Sequence, residues 1–341
     1  MTSPSVHAAG QSVGRTPVPW AAMQALRRLW GDPVRRRRLI VGLQVVLVAA
    51  MLVFLVIEVR SSWDTVRPRL SDARWSYVGL ATLALAGYYL AFVPGWMLIL
   101  RAFGLRISYR EAIGAEMLSM LAKYIPGGVW TPAARIVATR RIGLPSGPVL
   151  ASIGYEAGLS AIAGVIVFAL SIPFESGVDP PVPTWTIVAF AVLLVILLHP
   201  AIYGRVADRF LRREGDEPIP ELPLPRAIPI VAYYCVTWVI GGIALWAMIR
   251  AFEPISITHA PFLGGASAVG AIVAVLVVIA PSGLGVREGA VYALILAVAS
   301  SSTALVVVAV NRLLITVVEA ALLGGVSLWR RATAARAVSD G

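Results

Sequence analysis

The sequence predicts an all-α, polytopic membrane protein, and three observations carry that prediction. Hydrophobic runs recur along the chain, each close to the roughly 20 residues an α-helix needs to cross a bilayer. Of 341 residues, 58% are hydrophobic and 14% charged, with a mean hydropathy of +0.81, which leaves no room for a sizeable soluble domain. Two hydrophobic stretches are each interrupted by a proline–glycine break with ionisable residues close by. The first is Glu116 to Arg135, EMLSMLAKYIPGGVWTPAAR; the second is Ile279 to Glu288, IAPSGLGVRE. Unpaired backbone groups cost several kcal/mol in hydrocarbon, so a broken helix persists there only against protein or a water-filled cavity.

Residues 1–38 form a polar, basic tail ending in Arg35, Arg36, Arg37 and Arg38. An apolar run from Leu39 to Val59 follows directly, which reads as an uncleaved first span rather than a secretory signal. The arginine run is expected to hold this end in the cytoplasm against anionic headgroups. Further hydrophobic segments lie at 75–100, 111–126, 146–172, 184–203, 228–250, 260–280 and 302–328, with a short apolar piece at 286–299. A cytoplasmic tail of residues 331–341 closes the chain, so the membrane region is 39–330.

Arginines between the segments set their orientation. Arg101, Arg106 and Arg110 place one connection inside, and Arg135, Arg140 and Arg141 place the next one inside as well. One span cannot have both flanks on the same side. A re-entrant hairpin turning at Pro126, Gly127 and Gly128 can. Loop 173–183 has no Lys or Arg and reads as outside, whereas 204–227 carries five arginines and reads as inside. With Arg330 and Arg331 inside, 260–299 must begin and end outside, as a second hairpin turning at Pro281, Ser282 and Gly283, with Gly285 just after. The expectation is about six full spans plus two oppositely oriented hairpins, an inverted repeat of four elements and four. About eight full spans is the alternative. Inverted repeats with broken helices are a recurrent transporter architecture, with the binding site between the repeats.

Charges inside such segments are the candidate substrate-binding residues, because charge at membrane depth tends to mark a path for something polar. Glu116 and Lys123 lie seven apart on one helix face. Arg135 is expected to open a helix whose N-terminus points at the cavity, an arrangement that favours phosphate. Glu156 interrupts an apolar run near its cytoplasmic start and is the candidate counter-ion to Arg135 or Arg312. Arg287 and Glu288 follow the second glycine-rich break. Arg312 and Glu319, again seven apart, sit well inside the last segment.

The net charge of +11 is spread at the ends of hydrophobic spans, so nucleic acid is not an expected partner. The single cysteine, Cys235, cannot form an intrachain disulfide, and His7, His199 and His259 show no ligand spacing, so neither metal nor cofactor is expected. No acidic cluster suited to glycosyl or phosphate transfer appears, so no catalytic residues are assigned. No nucleotide-binding G-x-x-x-x-G-K-[ST] loop is present either.

The residues KYIPGGVW…AR and PSGLGVREGA…NRLLITVVE resemble the lysylphosphatidylglycerol synthase transmembrane family, the flippase-like membrane part of bacterial multiple-peptide-resistance proteins and their stand-alone relatives. The resemblance covers roughly residues 40–330. It implies a multi-pass bacterial inner-membrane protein, both termini cytoplasmic, related to translocases of phospholipid or isoprenoid-linked lipid. It also implies that Lys123, Pro126, Gly127, Gly128, Arg135, Pro281, Gly283, Gly285, Arg287, Glu288, Arg312 and Glu319 occupy motif positions. The full-length synthases add a cytosolic aminoacyl-transfer domain; this chain ends at Gly341 without one, so lipid aminoacylation is not expected. A lipid translocase is the leading reading. The alternatives are an accessory membrane subunit partnering a glycosyltransferase or another cell-envelope enzyme, and an intramembrane lipid-modifying enzyme.

Overall fold

The computed structural model describes residues 71–123, 130–175, 220–276 and 285–339, together with isolated positions between 53 and 69 and between 189 and 203. All of them belong to one compact unit, residues 50–341. The basic tail, most of 39–59 and of 184–203, and the breaks at Pro126, Gly127, Gly128, Pro281 and Gly283 lie outside the described residues.

Every regular element among the described residues is helical. In chain order they are α1 (Trp75–Ala102), α2 (Tyr109–Ala122), α3 (Trp130–Arg140), α4 (Ser146–Ser171), α5 (Leu224–Arg250), α6 (Ala260–Leu276), α7 (Val286–Ile295) and α8 (Ser301–Ser339). Single 3-10 turns follow α4 and precede α6. Five stretches are long and apolar enough to cross a membrane: Trp75–Ala102, Ser146–Phe174, Leu224–Arg250, Ile257–Ala274 and Ser301–Trp329.

The fourth of these is one limb of a hairpin. Contacts at the helix ends show why. At one end of the bundle the Arg226 guanidinium donates to Ala102 O at 3.0 Å, and Arg110 lies 5.1 Å over the Trp329 ring. At the other end Arg74 N–H donates to Ala251 O at 2.9 Å, His259 Nδ1 lies 2.6 Å from Glu175, and Ser300 Oγ donates to Glu253 at 2.6 Å. These contacts make α1 and α5 antiparallel, and α4 and α8 antiparallel. They also place the start of α2 and the close of α3 at the first end, and the start of α6 and the close of α7 at the second. At ~1.5 Å per residue the 14 residues of α2 reach about 21 Å, short of a hydrocarbon core of ~30 Å. Hairpin one, α2/α3, and hairpin two, α6/α7, therefore enter from opposite ends.

The packing repeats with the same symmetry. Exchanging α1 with α5, α2 with α6, α3 with α7 and α4 with α8 maps the main helix contacts onto one another. α2 packs on α8 as α6 packs on α4, and α3 on α4 as α7 on α8, while α1 and α5 pack together at the centre. Among the described residues, four helices run from end to end and two hairpins fill the space between them, as an inverted repeat requires.

Burial of apolar surface does not drive helices together in lipid; close approach of small residues does. The α4/α5/α6 seam is built that way. A Cβ on Gly242 would lie 2.6 Å from the Gly264 nitrogen, and one on Gly265 would lie 2.5 Å from Phe168 Cα. Around this seam Phe168 and Phe262 stack with centroids 5.5 Å apart.

Pro94 lies inside α1 and removes one helical N–H. The Leu90 carbonyl, four residues earlier, loses its usual partner, and it and the next carbonyl both accept from side chains. Tyr109 Oη of α2 donates to Leu90 O at 3.1 Å, and Tyr233 Oη of α5 donates to Ala91 O at 2.7 Å. Four boundaries of the expected hydrophobic segments differ by four residues or more. α2 ends at Ala122 rather than 126. α5 starts at Leu224, behind Pro223 at its N-cap, rather than at 228. α7 ends at Ile295 rather than 299. α8 continues through the expected tail as far as Ser339.

Candidate functional site

The candidate residues gather into three groups inside the bundle. In the first, Glu116 of α2, Arg135 of α3 and Glu156 of α4 are each only 5% exposed. The Arg135 guanidinium contacts both carboxylates, Glu116 Oε2 through one terminal nitrogen and Glu156 Oε2 through the other. Its planar face lies 4.7 Å over the ring of Trp96 in α1. Trp96 is held in turn by its indole N–H, which donates to Ser152 Oγ at 2.8 Å. Guanidinium suits such a site because its fork spans two acceptors while its face stacks on an aromatic ring.

This geometry corrects one expectation and narrows another. Arg135 does not open a helix: α3 begins five residues earlier, at Trp130, and Arg135 sits in its second turn facing the bundle. Glu156, expected as a counter-ion to Arg135 or Arg312, lies ten residues into α4 and is buried. Its counter-ion is Arg135.

In the second group Lys123, the C-cap of α2, contacts Glu319 Oε1 of α8, and Tyr89 Oη of α1 donates to the same oxygen at 2.5 Å. Glu319 is 4% exposed, while the Lys123 side chain retains 31% of its exposure.

The third group joins α7 to α8. Arg312, 6% exposed, donates through Nη1 to Glu288 Oε1 at 3.0 Å. The other Glu288 oxygen accepts the Gly285 N–H at 2.9 Å, capping the start of α7. Gly285 has φ +80°, a conformation that side-chain-bearing residues rarely adopt, and this lets the chain turn directly into α7. The seven-residue spacing of Arg312 and Glu319 thus does not report a pair: Arg312 meets Glu288, and Glu319 meets Lys123. Glu116 and Lys123 are likewise divided, each taking its partner from another helix.

The first and third groups are counterparts across the repeat. Arg135 on α3 pairs with Glu156 on α4; Glu288 on α7 pairs with Arg312 on α8, the same two elements with the signs exchanged. Glu156 lies ten residues from the start of α4 and Arg312 eleven from the start of α8. Arg287 is half-buried next to Glu288 and within electrostatic range of Tyr88, Tyr89 and Lys123; it forms no salt bridge among the described residues.

Reasoning from sequence did not find Tyr89, Trp96 or Tyr234, which contribute polar groups to these clusters. Their only signal is a hydroxyl or indole N–H within an apolar span. Among the described residues no group of three or more His, Cys, Asp or Glu side chains is arranged to hold a metal ion.

The family model of the lysylphosphatidylglycerol synthase TM region matches residues 40–324. No curated protein matches the chain.

Proposed function

The chain belongs to the lysylphosphatidylglycerol synthase transmembrane family, and on that premise we propose that it is a lipid translocase rather than an enzyme. In this reading a phospholipid or isoprenoid-linked lipid passes its charged headgroup along the Arg/Glu-lined seam between the halves, while its tails stay in the bilayer. The membrane is the bacterial inner membrane, with both termini cytoplasmic and the basic N-terminal tail on anionic lipid.

The observation that carries the reading is the contact of Lys123 with Glu319. Lys123 ends the entering limb of one hairpin, and Glu319 lies on the last helix of the opposite half. Buried ion pairs add little to stability over apolar packing of the same volume. Retaining charges where a hairpin of one half meets the last helix of the other fits a polar path better than a structural core. Arg287 supplies the cation for a phosphate on that path, and the hairpins supply gates facing opposite sides.

The test is translocation in proteoliposomes carrying lipids labelled on the tail, with an impermeant quencher reporting the outer leaflet. The purified protein should accelerate exchange of at least one lipid with an anionic headgroup, and Arg287→Ala should slow it more than tenfold in a folded protein. Equal exchange with and without protein, across phospholipid and isoprenoid-phosphate probes, would contradict the reading.

A further inference from the structure

Among the described residues, the ionisable groups of the bundle interior balance in number but not in place. Lys123 neutralises Glu319, and Arg312 neutralises Glu288. Arg135 alone stands between Glu116 and Glu156, so that cluster carries one negative charge in excess. Arg287 has no salt bridge among the described residues, so its surroundings carry one positive charge in excess. Tyr88 of α1 is within electrostatic range of Arg287 and of both Glu116 and Glu156.

Leaving an uncompensated charge in a low-dielectric interior costs several kcal/mol. The acidic cluster has free capacity for a compensating cation. Glu156 uses Oε2 on Arg135, and its Oε1 is buried with no hydrogen-bond partner. The Tyr234 hydroxyl of α5, on a fully buried side chain, is also without a partner and is coupled electrostatically to Glu156, Arg135 and Glu116. Beyond the ion pair between them, Glu116 Oε2 and Arg135 Nε also lack a hydrogen-bond partner. Trp96 of α1 covers the guanidinium, Thr139 of α3 donates to its own helix, and α6 carries no ionisable residue. Among the described residues no group of three or more His, Cys, Asp or Glu is arranged to hold a metal ion, and two carboxylates already sharing one guanidinium, with a single hydroxyl, fall short of its donor set. They suffice for a proton.

We propose that the Glu116–Arg135–Glu156 cluster binds one exchangeable proton, on Glu156 Oε1, and that this proton travels with a singly negative headgroup held at Arg287. The proposal rests on the translocase reading. The proton leaves water on one side of the membrane, sits on Glu156 and returns to water on the other side, and only an O–H bond forms and breaks. The empty interior is neutral overall, and so is the interior loaded with both ligands. A carrier holding one alone has an unmatched charge and does not reorient, so transport is coupled and electroneutral.

The experiment uses proteoliposomes of phosphatidylcholine with a trace of tail-labelled phosphatidylglycerol, under a pH difference of about two units. The labelled lipid should become enriched several-fold in the leaflet facing the alkaline side, reverse when the gradient reverses, and ignore an imposed potassium-diffusion potential. Infrared titration of the same protein should show one buried carboxyl band that appears on acidification. Glu156→Gln should abolish both signals. Glu116→Gln, which leaves Arg135 and Glu156 as a neutral pair, should abolish both as well. Translocation that ignores the pH difference, or that follows a sodium gradient or the potential, overturns the coupling while sparing the translocase reading. Absence of any translocation sinks the translocase reading. The infrared band then decides the proton site by itself, and its absence overturns it.

Discussion

Lys123 and Glu319 stand 196 residues apart and come from opposite halves of the chain, yet they meet inside the bundle. Tyr89 completes the contact from α1. A hairpin of one half is thereby tied to the last helix of the other, so any movement of that hairpin breaks or re-forms this contact. Lys123→Gln removes the ammonium from the buried Glu319 carboxylate, and Glu319→Gln removes the carboxylate that Lys123 contacts. Each single variant should lower stability by about 2–4 kcal/mol, near the range for breaking a buried pair, and the double variant should cost clearly less than the sum. A double-mutant cycle of unfolding in detergent measures the coupling.

Pro94 makes a second prediction. Tyr109→Phe should cost about 1 kcal/mol, the net worth of a hydrogen bond whose loss leaves the Leu90 carbonyl unpaired, and Tyr233→Phe should cost less, because the Gly95 N–H remains available to the Ala91 carbonyl. Pro94→Ala restores a backbone donor, so Tyr109→Phe in that background should be nearly neutral. Thermal unfolding of the four variants in detergent checks this.

The α5/α6 seam tolerates no side chain. Gly264→Ala places a Cβ 3.0 Å from the Trp238 carbonyl carbon and closer still to its oxygen, and neither backbone can shift without moving its helix. The expected loss is about 1–3 kcal/mol. Gly79→Ala in α1 meets nothing within 4 Å and should be neutral. Unfolding midpoints of the two variants should separate accordingly.

Acid sensitivity should localise to Glu253, in the connection after α5. Partial burial on its own raises this carboxyl. Hydrogen bonds from Ser300 and Thr303, with Arg69 nearby, outweigh burial and hold it below the usual 4.5. A carboxyl depressed in the folded state contributes stability above its unfolded pKa and loses it as pH falls through the lower folded value. The wild-type melting temperature should therefore fall below about pH 4.5. Glu253→Gln should melt lower near neutral pH and lose part of that acid-side slope. Melting scans between pH 3 and 7 on both proteins provide the check.

How much of this was legible in the sequence depends on which signal each feature leaves. Arginines flanking the hydrophobic runs and the two proline–glycine breaks prescribed the alternation of spans and hairpins, and helix ends such as Arg226 against Ala102 and Arg74 against Ala251 agree with it. The charged residues were legible as candidates because an apolar run makes them conspicuous. Their pairing was not legible. Seven-residue spacing places Arg312 and Glu319 on one face of α8, but partners in a bundle come across helices, and Glu288 and Lys123 lie on other elements. The start of α3 was misplaced because Trp130, Thr131 and Pro132 read as a continuation of the break, whereas proline is at home in a first helical turn. A proline within a long apolar run, such as Pro94, does carry a legible demand for an outside donor, though sequence alone does not name Tyr109.

The inverted repeat is the premise of every functional statement above, and membrane sidedness tests it most directly. Single cysteines at Arg106, Ile142, Pro254 and Ser302, in a protein whose Cys235 is replaced by alanine, flank the two hairpins at exposed positions. An impermeant thiol reagent applied to oriented vesicles should label positions 106 and 142 from one side, and positions 254 and 302 from the other. Labelling of 106 and 142 from opposite sides would make α2/α3 a crossing rather than a hairpin, and the account would fail.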